Sequence, residues 1–199
     1  MTANGTSFSF RLQRAREGTQ RDVSSLLEAY RNYLRFLGYD GVAGALRAKV
    51  DASDIAQEVL IRAQQRFGQF HGQTEAELLA WLGTILAREI VDYARRHGGA
   101  VQERAVTEIL CDSSASLARL GGLAHTTPSQ HAARKEVAVV LADALATLTP
   151  DQQQAILLRT REGLSWDEVG QRMGRTADAV RQLWVRGLRA LRPLLEERL

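Results

Sequence analysis

The stretch SWDEVGQRMGRTADAVRQLWVRGLRAL, residues 165–191, decides the fold. Ser165 and Glu168 have capping-box spacing, in which each side chain satisfies the other's exposed backbone N–H, so a helix opens at Trp166. Gly174-Arg175-Thr176 makes a tight turn into another helix. Along that helix Val180, Trp184, Gly187 and Leu191 recur at three- and four-residue intervals, while Asp178, Arg181, Gln182, Val185 and Arg189 fall on the opposite face. A guanidinium, an amide and a branched apolar group on one outer face have the chemistry to read base edges in a major groove. The plainer alternative is an ordinary amphipathic surface helix. Upstream, Thr149-Pro150-Asp151-Gln152 caps a preceding helix and completes a helix-turn-helix block.

Composition bounds the rest. A chain of 199 residues, 45% apolar, can hold one large core or two small ones. It has no apolar run long enough to span a membrane, and Met1 to Phe10 lacks the basic-then-apolar order of a signal segment. A cytoplasmic location without membrane insertion is expected. Cys111 is the only cysteine, so no internal disulfide can form. His71, His97, His125 and His131 are scattered, and no metal or cofactor is expected.

The net charge of +3 permits nucleic-acid binding without demanding it. Residues 149–199 carry nine positive and seven negative charges, and residues 16–97 carry eleven of each. Affinity for DNA must therefore come from local stripes, and it should depend strongly on salt.

The pattern divides the chain into a tail over 1–15, a helical block over 16–97, a linker over 98–126 and the helix-turn-helix block over 127–199. In the first block, helices are expected from Arg21 to Leu37, from Ser53 to Phe70 and from Thr74 to His97. A Gly38-Tyr39-Asp40-Gly41 turn and a short helix to Val50 lie between the first two. Thr74-Glu75-Ala76-Glu77 caps the third, and Thr127-Pro128-Ser129-Gln130 caps a helix that leads into the last block. Gly98-Gly99, Ser113-Ser114 and Gly121-Gly122 interrupt the linker, whose apolar periodicity is weak. No alternating strand pattern appears, so the fold is all-α with two helical domains joined by a flexible linker.

Two further stripes stand out. With Ile55, Val59, Ala63, Phe67 and Phe70 facing the core, Asp54, Gln57, Glu58, Ile61 and Gln65 lie together outside, an acidic surface with an isoleucine in it that suits a protein partner. The bland alternative is a solvated cluster that complements the helix dipole. As a metal site, Asp51, Asp54 and Glu58 lack any second acidic cluster, phosphate loop or paired histidines. On the next helix Trp81, Thr84, Arg88, Asp92 and Arg95 share a narrow arc that ends in Arg96 and His97. An aromatic beside arginines can stack an unpaired base and hold phosphates. Trp81, set among Leu78, Leu79, Leu82 and Ile85, reads first as core.

Together these residues resemble a family. DASDIAQEVLIRA at 51–63, Phe70-His71-Gly72, Ala80-Trp81-Leu82 and Asp92-Tyr93-Ala94-Arg95 look like region two of a bacterial sigma-70 RNA polymerase factor of the extracytoplasmic-function group. Leu148-Thr149-Pro150, Ile156 to Arg159, Glu162 to Ser165, Glu168-Val169, Met173-Gly174-Arg175 and Ala179 through Arg186 resemble region four. Both occur in this order over about three quarters of the chain.

The resemblance implies a promoter-specificity factor that catalyses nothing itself. Asp54, Gln57, Glu58 and Ile61 would dock on the beta-prime clamp helices of core polymerase, and region four would meet the beta flap. His71, Trp81, Arg88, Arg95 and Arg96, with the loop to Glu77, would take the minus-ten strand with a base flipped out. Arg175, Thr176, Arg181, Gln182 and Arg186 would read the minus-thirty-five duplex. An anti-sigma factor is a further possible partner. Where many relatives carry asparagine in the fourth region-two helix, this chain has Arg88 and Glu89, and Glu89 and Asp92 make that DNA face less basic. The competing readings are a helix-turn-helix regulator that binds duplex DNA without polymerase, and a protein-interaction module.

Overall fold

Thr19 opens the first of four reciprocally capped helix starts among the described residues. The computed structural model describes residues 3–41, 51–96, 103–120, 128–160 and 162–198, and no strand occurs among them. Their helices are α1 (Ala3–Glu17), α2 (Gln20–Glu28), α3 (Arg31–Gly41), α4 (Ala52–Gln65), α5 (Glu75–Arg96), α6 (Glu103–Leu120), α7 (Pro128–Ala146), α8 (Pro150–Thr160), α9 (Trp166–Met173) and α10 (Ala177–Arg198).

Reciprocal caps set the helix starts. Thr19 and Asp22 form one ahead of α2, and the Thr19 backbone N–H is the main cause of the Asp22 carboxyl lying below its ordinary range. Glu77 Oε2 accepts from the Thr74 N–H (2.9 Å) while Thr74 Oγ1 accepts from the Glu77 N–H (3.3 Å). Thr149 and Gln152 exchange the same pair of bonds, as do Ser165 and Glu168. Each cap satisfies N–H groups that the first helical turn leaves without a partner and contributes about 1 kcal/mol. The expected box at Thr127 lies outside the described residues, although α7 begins at Pro128.

Four expected boundaries move. The tail over 1–15 is instead most of α1, because Phe8, Leu12 and Ala15 recur at helical spacing and are buried. The single helix expected from Arg21 to Leu37 is two, bent where the Tyr30 N–H bonds to the Leu27 carbonyl. Tyr30 is buried there, and its hydroxyl donates to Glu75 Oε1 (2.9 Å) on α5. The Gly38–Gly41 turn is the last turn of α3, and the short helix expected before Val50 falls outside the described residues. The helix expected to reach Phe70 ends at Gln65, and a 3-10 turn over Phe67–Gln69 carries Phe67 and Phe70 inward.

The linker expected over 98–126 contains an 18-residue helix, α6. Its apolar stripe is narrow, but Val106, Leu110 and Ser113 are buried where α6 packs on α3, α5 and α7. Helix α7, assigned from the sequence to the C-terminal block, lies against α3 and α5 as well as α10. Asn32 Nδ2 donates to Asp143 Oδ1 (2.9 Å) across the α3–α7 contact. One apolar core therefore runs from Phe8 through Leu34, Val59, Leu82, Leu86 and Leu141 to Leu191. Each fully buried leucine in it contributes about 1.5–3 kcal/mol. A smaller cluster of Ala155, Leu158, Val169 and Val180 fixes α8, α9 and α10 together.

Candidate nucleic-acid interface

The helix-turn-helix geometry rests on two glycines. Gly174 ends α9 in the left-handed region, at φ 63°, where a β-carbon is costly. Gly170 lies so close to the turn that a β-carbon there would stand 2.8 Å from the Arg175 carbonyl oxygen. The Arg175 N–H bonds to the Gly170 carbonyl (2.9 Å), closing the turn, and the Thr176 hydroxyl accepts from the Ala179 N–H (3.2 Å) as α10 begins.

Val180, Gly187 and Leu191 on α10 are buried and Trp184 is half-buried, so the opposite side is presented outward. Arg175, Thr176, Arg181, Gln182 and Arg186 are all exposed. Their charges are organised: Arg175 Nη2 donates to Asp151 Oδ2 (2.5 Å), Arg186 Nη2 to Gln182 Oε1 (3.0 Å), and Arg181 Nη1 lies 3.7 Å from Asp178 Oδ1. The Arg181 guanidinium also stands 5.6 Å from the Trp166 ring centroid, and that of Arg159 4.7 Å from it. Trp166 meets Trp184 edge to face at 5.5 Å. An exposed cation–π contact is worth about 0.5–1 kcal/mol, enough to orient Arg181 without locking it away from a stronger partner.

The stripe on α5 is equally distinct. Thr84, Arg88, Arg95 and Arg96 are exposed, Asp92 is half-buried, and Trp81 is half-buried against Phe70 with ring centroids 5.3 Å apart. Trp81 is thus partly a core residue that keeps some surface open. Arg88 Nε lies 3.4 Å from Glu103 Oε1 on α6, Arg95 lies 3.8 Å from Asp92, and Arg96 sits over the Tyr93 ring at 5.5 Å. Next to this stripe, residues 71–74 form an irregular loop with His71 exposed. Glu77 Oε2 accepts from the Gln73 N–H (2.8 Å) as well as from Thr74, and these bonds lower its carboxyl pKa.

Asp54, Gln57, Glu58 and Ile61 share the outer face of α4, and Ile61 is 42% exposed. An ion pair near them escaped the sequence reading. Glu89 does not lie on the α5 DNA face as expected: it is only 3% exposed and points to α4, where Arg62 Nε meets it at 2.8 Å. The Asp92 carboxylate alone of that pair dilutes the stripe. No single-helix pattern signals an ion pair between two helices, so only the fold reveals it. Among the described residues no cluster of histidine, cysteine and carboxylate side chains could hold a metal ion, and no helix is long and apolar enough to cross a membrane.

Residues 23–99 match the family model Sigma-70 region 2, and residues 144–193 match Sigma-70, region 4. The RNA polymerase sigma factor CarQ of Myxococcus xanthus is 30% identical over 188 residues, which cover 94% of this chain and 96% of that relative. The ECF RNA polymerase sigma factor BldN of Streptomyces coelicolor is 26% identical over 186 residues, or 94% of this chain. The probable RNA polymerase sigma factor RfaY of Xanthomonas campestris is 28% identical over 188 residues, again 94%. The chain spans 65% of the length of BldN and 44% of that of RfaY.

Proposed function

Because the chain belongs to the sigma-70 family of RNA polymerase sigma factors, in the extracytoplasmic-function group, we propose that it binds core polymerase and directs promoter-specific initiation. The observation that carries this reading is that each of the two matched segments bears its own stripe of exposed arginines, on α5 and on α10.

On α10, Arg181, Gln182 and Arg186 would enter the major groove of the minus-thirty-five duplex, with Arg175 and Thr176 at the turn contacting the phosphate backbone. A bidentate base contact supplies about 1–3 kcal/mol of discrimination. On α5, Arg88, Arg95 and Arg96 would track the phosphates of the minus-ten strand. Trp81 and the loop holding His71 would receive a base out of the stack, since an aromatic surface recovers about 1–3 kcal/mol per stacked base. Capture of that base is what would favour melting. The face formed by Asp54, Gln57, Glu58 and Ile61 would dock on the beta-prime clamp helices, and the 144–193 segment would contact the beta flap. The factor itself makes and breaks no covalent bond; nucleotide chemistry stays with the polymerase. An anti-sigma factor would compete for these same surfaces.

The test is reconstitution. Purified protein added to core polymerase should produce transcripts from a defined promoter set that core alone does not start, read by mapping transcript 5′ ends. Sequence-specific duplex binding by the protein alone, with no association to core polymerase at any salt concentration, would establish the regulator reading instead.

A further inference from the structure

Arg16 stands on α1, outside the segment matched to region 2, yet its guanidinium reaches 56 residues ahead to the loop that follows Phe70. Arg16 Nη2 donates to the Gly72 carbonyl (2.6 Å) and Nη1 to Gln73 Oε1 (3.2 Å). The same group lies 6.0 Å from the Phe70 ring centroid, and Phe70 backs Trp81. We propose that Arg16 is a positioning residue that fixes the 71–74 loop in the shape that receives an unpaired DNA base. This rests on the minus-ten reading of that loop given above.

Three observations carry the inference. First, residues 71–73 belong to no helix or strand, and Thr74 joins α5 only through its carbonyl, which accepts from the Leu78 N–H (3.1 Å), so the conformation of the loop must be set from outside. Glu77 pins its exit by accepting from the Gln73 and Thr74 N–H groups, and Arg16 pins its middle. Second, the fit is close: a β-carbon at Gly72 would stand 2.6 Å from Phe70 Cζ and 2.8 Å from Glu77 Cβ, so the backbone has little room to shift. Third, Arg16 is itself exposed, which leaves it no part in the core, while its neighbour Ala15 is buried and holds α1 in place. A planar fork can satisfy a main-chain oxygen and a side-chain oxygen at once, and an ammonium cannot reproduce that geometry. With the loop held at both points, His71 is left exposed directly after Phe70, the ring that backs Trp81, where a flipped base would be received.

The experiment uses the full chain bound to core polymerase. The probe is promoter duplex from the transcript mapping, with 2-aminopurine at successive minus-ten positions to report unstacking. Arg16→Ala should reduce the extent of opening roughly two- to tenfold, the cost of ordering the loop at the moment of binding. It should also relax base preference at one position, with melting temperature and core-polymerase affinity unchanged. Arg16→Lys should not restore the parent behaviour. His71→Ala tests the underlying reading independently. If His71→Ala impairs opening and Arg16→Ala does not, the proposal is overturned and the minus-ten reading stands. If neither variant affects opening, the loop reading falls and the proposal falls with it. If Arg16→Ala lowers melting temperature and core affinity together, its role is structural and the proposal is overturned.

Discussion

Arg62 Nε lies 2.8 Å from Glu89 Oε1 and 3.1 Å from Glu58 Oε1, so one guanidinium joins a buried carboxylate on α5 to an exposed one on α4. These are the two helices that carry the proposed strand-binding stripe and the proposed polymerase-docking face. Glu89 Oε2 has no hydrogen-bond partner among the described residues. Burial raises the Glu89 pKa; Arg62 opposes the shift, while Glu58 and Asp92 reinforce it. Desolvation outweighs the ion pair, as expected when only one of two carboxylate oxygens is satisfied.

The sign of the pH effect follows. A carboxyl whose folded pKa is raised holds its proton more tightly in the folded than in the unfolded state, so its contribution to stability falls as pH rises past the ordinary value of 4.5. The loss levels off above the folded pKa. Glu89→Gln removes the titration while keeping the shape. Urea midpoints of parent and variant, compared from pH 4.5 to 7.5, should move in favour of the variant as pH rises. A difference that stays constant over that range would show that Glu89 keeps its ordinary pKa in the fold.

Asp54→Arg should weaken binding to core polymerase by about tenfold or more, because like charges juxtaposed at an interface cost several kcal/mol. Glu58→Arg should act in the same direction, with a small additional cost of a few tenths of a kcal/mol from the new i,i+4 neighbour Arg62. Both side chains are exposed on α4, opposite Ile55, Val59 and Ala63, so the circular dichroism spectrum should not change. Parent-like affinity for core polymerase in both variants, measured by fluorescence anisotropy, would remove this face from the docking surface.

How legible all this was in the sequence depended on range. Caps are local, so Thr74 with Glu77 and Ser165 with Glu168 could be read from spacing alone, as could the inward side of α10. Helix α1 was missed because Phe8, Leu12 and Ala15 make a thin stripe in a polar stretch, and only packing against the rest of the core makes it count. The same holds for Val106 and Leu110 on α6. Glu89 looked like an outward charge because charged residues are seldom buried without a partner, and its partner Arg62 sits on another helix. The hold of Arg16 on Gly72 spans 56 residues and has no local pattern at all.

Arg181 offers the sharpest division between a polymerase-dependent factor and a free-standing regulator. Its side chain is exposed, rests near the Trp166 ring and lies 3.7 Å from Asp178 Oδ1, whereas Val180 beside it is buried. Arg181→Ala should therefore leave the fold intact, at a cost of about 0.5–1 kcal/mol for the lost ring contact. If the guanidinium contacts a base pair, its removal costs about 1–3 kcal/mol, or roughly five- to 150-fold in affinity for a promoter with an intact minus-thirty-five element. Transcription from that promoter should fall accordingly while affinity for core polymerase stays at the parent value. Arg181→Lys should recover little, since an ammonium cannot make the paired bonds of the fork. Unchanged transcription by Arg181→Ala on such a promoter would exclude this side chain from duplex reading, and an operator shift by the parent without polymerase, lost in Arg181→Ala, would instead mark a regulator.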